Sequence, residues 1–148
     1  MTKERKIMEP LTRSATKVTP QVILNPAAQK FIISGRCFPE NAELFFRPIL
    51  NWLETFTNTA KASSVEFVFK FDFFNIASSK RILLIFYKLM ELQSKGIQVR
   101  IKWYYDEEDI DMLEIGEDYA VMVDQLSFSF IPQSKAEILR TRKLLRTG

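Results

Sequence analysis

The sequence predicts an α/β fold, a mixed β-sheet with helices packed on it, in the order β-β-α-β-α-β-α-β. Three observations predict it. Residues 63–74 and 97–105 alternate apolar and polar, as strands do. Between them, residues 78–95 repeat apolar side chains at helical spacing, which makes a strand-helix-strand crossover joining parallel strands. Upstream, "QVILN" (21–25) and "KFIISGR" (30–36) flank a Pro-Ala-Ala-Gln turn and read as an antiparallel hairpin.

Each element has its own justification. The first twenty residues are polar, punctuated by Pro10 and Pro20, and are expected to be poorly ordered. After the hairpin, Pro39 and Asn41 are helix-start signals, and Glu40 and Glu43 suit the positive end of a helix dipole. Leu44, Phe45, Ile49, Leu53 and Phe56 then recur at helical spacing, with Leu50 and Trp52 widening the stripe. Pro48 lies inside this pattern and predicts a bent helix over 41–58.

In "SSVEFVFKFDFF", Val65, Phe67, Phe69, Phe71 and Phe73 are expected on one face, opposite Glu66, Lys70 and Asp72. Ile82, Ile85, Phe86, Leu89 and Leu92 form the face of the next helix, which Gly96 ends. In 97–105, Trp103 and Tyr105 belong to the core face and Tyr104 points out. An acidic segment (106–118) precedes "YAVMV", and "LSFSFIP" (126–132) is the last strand. The basic end of the chain reads as a loose helix. The expected organisation is a flexible tail over 1–17, one domain over 18–132, and a basic tail over 133–148.

Composition excludes several function classes. No histidine is present among the 148 residues, so no Ser-His or Cys-His pair can form within the chain. The single Cys37 excludes an internal disulfide and a thiolate-rich zinc site, and packs as a small apolar residue. Four glycines leave no phosphate-binding loop. No catalytic residue, metal ligand or cofactor site is therefore assigned. No apolar run approaches the about 20 residues that cross a bilayer, and no secretory signal opens the chain, so a cytoplasmic protein is expected.

Net charge is +3, but it is unevenly placed: +4 over 1–30, −5 over 31–134 and +4 over 135–148. The central part is acidic, which argues against nucleic acid as its partner. The eight acids of 106–118 lack the spacing of a calcium loop and read as a solvated face.

The stretch "FFNIASSKR" (73–81) stands at a strand-to-helix joint. Asn75 or Ser78 can cap the helix, whose first N–H groups are unpaired and carry about half a positive charge. A phosphoryl group would be tolerated at the same place, with Lys80 and Arg81 close behind.

Five stretches in this order, "TPQVILN", "SGRCFPENAELFFRPILNWLE", "FFNIASSKRIL", "VRIKWYYDEED" and "DMLEIGEDYA", resemble the SiaC-type regulatory phosphoproteins over about residues 18–131. The resemblance implies a STAS-like fold, as in anti-anti-sigma factors, and a non-catalytic bacterial switch. In that family a kinase adds a phosphate and a phosphatase removes it. The unphosphorylated form binds and activates a diguanylate cyclase, which places the switch in cyclic-di-GMP signalling.

One departure falls at the joint. Where the family reads Asn-Thr-Ser-Ser, with the threonine accepting phosphate, this chain reads Asn75, Ile76, Ala77, Ser78. Three readings stand. The acceptor has moved to Ser78 or Ser79, the protein is locked unmodified, or another input controls it. Asn75, Ile76, Ala77, Lys80 and Arg81 are the expected partner-binding residues. The alternative function is a constitutive protein-binding scaffold of anti-anti-sigma type, not regulated by phosphate.

Overall fold

β-Branched and aromatic residues at every second position build a single six-stranded sheet in a computed structural model that describes residues 8–147. The strands are β1 (Leu11–Arg13), β2 (Gln21–Asn25), β3 (Lys30–Cys37), β4 (Ser64–Phe74), β5 (Gln98–Asp106) and β6 (Ser127–Gln133), and they lie side by side in chain order. β1, β2 and β3 pair antiparallel. β3 to β6 pair parallel, joined by α1 (Ala42–Thr59), α2 (Ile76–Ser94) and α3 (Ile110–Met122). The hairpin, the mixed sheet and the crossover from β4 through α2 to β5 agree with expectation.

One face of the sheet and these three helices share one core. Phe46, Ile49, Leu53 and Phe56 of α1, and Ile82, Ile85, Phe86, Leu89 and Leu92 of α2, cover Ile33, Phe67, Phe69, Val99 and Ile101. Trp103 sits at the centre, with the rings of Phe69, Phe71, Phe74, Phe86 and Tyr119 about it. Its Nε1 donates to the Met112 carbonyl at 3.1 Å. A Cβ on Gly116 would lie 2.5 Å from that nitrogen, so glycine is what lets α3 approach the indole.

Four expectations need correction. First, part of the supposed flexible tail is structured: β1 pairs with Val22–Leu24, and Trp52 Nε1 donates to the Glu9 carbonyl at 2.8 Å. The rest of that expectation, over residues 1–7, lies outside the described residues. Second, the basic tail forms the expected helix, α4 (Lys135–Thr147), but not as a loose one: it lies over the other face of the sheet and pairs Arg142 with Asp72 and Lys135 with Glu108.

Third, Phe73 leaves the core face. Gly35 pairs with Phe71 but Arg36 pairs with Phe73, so Asp72 is an extra residue in β4. This β-bulge reverses the alternation: Phe73 is half exposed while Phe74 packs against Phe71 and Trp103. Fourth, the joint comes earlier than expected, since α2 starts at Ile76 rather than 78. α1 runs continuously through Pro48.

Candidate functional site

The bulge ends β4 and turns the chain directly into α2. Asn75 has extended backbone and its Oδ1 accepts from the Ser78 amide at 2.9 Å, while its own amide donates to the Cys37 carbonyl at 3.2 Å. Asn75 is therefore the cap, in agreement with expectation, and it ties the start of α2 to the end of β3.

The next four side chains have different fates. Ile76, the first helical residue, is 78 % exposed, and Ala77 beside it is exposed too. Ser78 points inward and is 0 % exposed, and its Oγ has no hydrogen-bond partner of sound geometry. It faces the buried Cys37 thiol. Burial pushes that thiol from 9.0 up to about 11, and the Ser78 hydroxyl offsets only part of the shift. As an acceptor Ser78 is thus corrected by its burial, because a kinase cannot reach its Oγ while the first turn of α2 is formed.

Ser79 is half-buried. Its Oγ donates to the Ile76 carbonyl at 2.7 Å, and its carbonyl accepts from the Tyr119 hydroxyl at 2.7 Å. Burial raises the pKa of the Tyr119 phenol, so it stays a donor at neutral pH. Tyr119 was missed by sequence reasoning because it stands forty residues away from Ser79 and no local pattern marks it.

Lys80 is exposed, and Arg81 is half-buried beside the first turn of α1. There the Arg47 guanidinium, bonded to Glu43 at 2.7 Å, holds the Glu43 carboxyl below its ordinary range, and the Arg81 charge adds to this. Leu44 on α1 and Phe73 on β4 are further exposed apolar side chains at this end of the sheet. The arrangement is a neutral, apolar spot on a helix start, backed by cations.

Among the described residues, no group of three or more metal-ligating side chains comes together, and no helix is long and apolar enough to cross a membrane.

Comparison with known proteins gives the family and the fold. The model of the SiaC family regulatory phosphoproteins matches residues 13–133. A curated protein of Pseudomonas aeruginosa strain UCBPP-PA14 is 25% identical over 130 residues, which is 88% of this chain and all of that protein. The crystal structure of apo-SiaC from Pseudomonas aeruginosa superposes with a TM-score of 0.73 at 25% identity, covering 86% of this chain and 100% of SiaC. The same fold recurs, with a TM-score of 0.76 at 23% identity over 83% of this chain and 99% of that one, in the crystal structure of the diguanylate cyclase SiaD in complex with its activator SiaC.

Proposed function

Because the chain belongs to the SiaC family of regulatory phosphoproteins, we propose that it binds and controls a diguanylate cyclase through the first turn of α2. It works in the cytoplasm by contact rather than catalysis, and a kinase and a phosphatase set its state at Ser79. The observation that carries this reading is Ile76, 78 % exposed at the first position of α2, with Ala77 and Lys80 exposed around it. A partner that covers this spot removes apolar surface from water, and a phosphate introduced there must be desolvated against a surface fitted to a neutral side chain. A loss of about 1.4 kcal/mol already weakens binding tenfold.

A second reading, a constitutive binder, is favoured by Ile76 itself, which has no hydroxyl where the resembling family carries its acceptor. Exposure to a SiaC-family kinase followed by mass spectrometry separates the two. Phosphate on Ser79, together with at least about tenfold weaker cyclase binding by Ser79→Asp, supports the gated form. No phosphate, with Ser79→Asp binding intact and Ile76→Asp binding lost, supports the constitutive form. If Ile76→Asp leaves cyclase binding untouched, the surface itself is wrongly placed. Ile76→Thr is expected to bind normally and to accept phosphate.

A further inference from the structure

The outer face of the sheet, away from α1, α2 and α3, carries a second feature. A cavity of about 510 Å³ opens between α4 and the carboxyl ends of the four parallel strands. Arg36 at the end of β3, Lys70 on β4, Tyr104 and Tyr105 on β5, and Arg142 and Lys135 on α4 are in its lining. The position has a physical logic. Parallel strands all end at the same edge, so the ends of β3 to β6 bring side chains from four strands to one place under α4. The volume falls in the range of small-molecule sites, roughly 300–1,000 Å³.

The cations of this cavity differ in their pairing. Three aspartates line it, and only Asp72 forms an ion pair; Asp106 and Asp109 keep their charge while accepting backbone N–H bonds. Asp72 pairs with Arg142, Asp106 Oδ1 accepts from the Glu108 amide at 3.0 Å, and Asp109 Oδ1 caps α3 by accepting from the Met112 amide at 3.1 Å. Lys135 pairs with Glu108 at 3.1 Å. Among the described residues, Arg36 and Lys70 meet aromatic rings rather than carboxylates: the Arg36 guanidinium lies 5.5 Å from the centre of the Phe38 ring, and Lys70 Nζ lies 4.4 Å from the centre of the Tyr104 ring. A half-buried ammonium facing a ring instead of a carboxylate is an unspent anion-binding group.

We propose that this cavity binds a small organic anion, a phosphate monoester or a carboxylate, with Arg36 and Lys70 holding the charged group and Tyr104 flanking the organic part. Arg142 contributes indirectly by neutralising Asp72. The site is built partly by α4, which begins at Lys135, beyond the stretch matched by the SiaC family at residue 133. The groups that hold the anion lie within the family-matched residues, and the site does not depend on how the first turn of α2 is used.

Calorimetric titration of the full chain with phenyl phosphate, benzoate and neutral benzyl alcohol tests the proposal. Saturable binding of one of the two anions, with Kd of about 1 mM or tighter, and none of the alcohol is expected. The preferred anion tells phosphate from carboxylate. Arg36→Ala and Lys70→Ala should each weaken binding about tenfold, Lys70→Arg should retain most of it, and Lys30→Ala at the opposite end of β3 should change nothing. Both alanine variants replace surface-facing side chains, and an unchanged thermal melt shows that they are folded. Absence of binding by either anion overturns the proposal, as does binding that persists in the folded Arg36→Ala/Lys70→Ala double variant.

Discussion

Ile76 occupies a position where a β-branched apolar side chain gains nothing from its own domain. It is exposed, and the helix start would be served as well by a polar residue. Its neighbour Asn75 does the local work, through one side-chain bond to the Ser78 amide and one backbone bond to Cys37. Asn75→Ala is expected to lower stability by about 1 kcal/mol, read from denaturant unfolding, because it leaves the Ser78 amide buried without its acceptor. An unchanged midpoint would mean that Asn75 is not the cap that holds this joint. The two serines after Ala77 look equivalent in sequence and are not equivalent in the molecule. Helical geometry turns residue 78 toward β3 and leaves 79 at the margin, so only one hydroxyl stays near solvent.

At the scale of the element, the bulge in β4 decides which phenylalanine belongs to the core. Without Asp72 as an extra residue, Phe73 would follow Phe71 inward, as strict alternation expects. With it, Phe74 meets Trp103 edge-on at 6.4 Å between ring centres, and Phe73 meets only Phe38. Phe74→Ala should therefore cost about 2–3 kcal/mol and Phe73→Ala less than about 1 kcal/mol. Equal losses for the two variants would contradict the register. The bulge also aims the end of β4 so that the chain enters α2 with Ile76 outward. α3 is positioned by a different device, the missing side chain of Gly116 against the Trp103 indole.

The whole molecule is one sheet with a dry face and a wet face. The dry face, under α1, α2 and α3, buries two groups that lose a proton only at high pH, Cys37 and Tyr119. Burial raises the Cys37 thiol from 9.0 to about 11, and it raises the Tyr119 phenol as well. A group whose pKa is higher folded than unfolded stabilises the fold in full below the unfolded value, and that contribution fades as pH rises through the folded one. Stability should therefore fall between pH 9 and 11, by on the order of 2 kcal/mol from Cys37. In Cys37→Ala the decline should begin about one pH unit later, when an unfolded tyrosine starts to ionise near pH 10. Denaturant midpoints measured across this range check the slope, whatever absolute stability the variant has. The wet face carries the ion pair of Lys102 with Glu66 and the α4 contacts, whose exposed pairs add little stability of their own.

By itself the sequence determined the order of the elements from β2 to β6, the antiparallel hairpin, the parallel crossover through α2 and the neutral character of the α2 start. Those features follow from local periodicity and from caps, which act within a few residues. It also determined that the resembling family's acceptor position is an isoleucine here. Only the tertiary structure decided that Ser78 is sealed against Cys37, that Tyr119 reaches Ser79, that Phe73 and Phe74 exchange roles, and that the two chain ends are used. β1 becomes a strand because β2 offers it an unpaired edge, and α4 is set over the outer face where Asp72 and Glu108 meet its cations. Each of these depends on contacts between residues far apart in the chain, and no short-range pattern records which neighbour a side chain will meet once the chain has closed on itself.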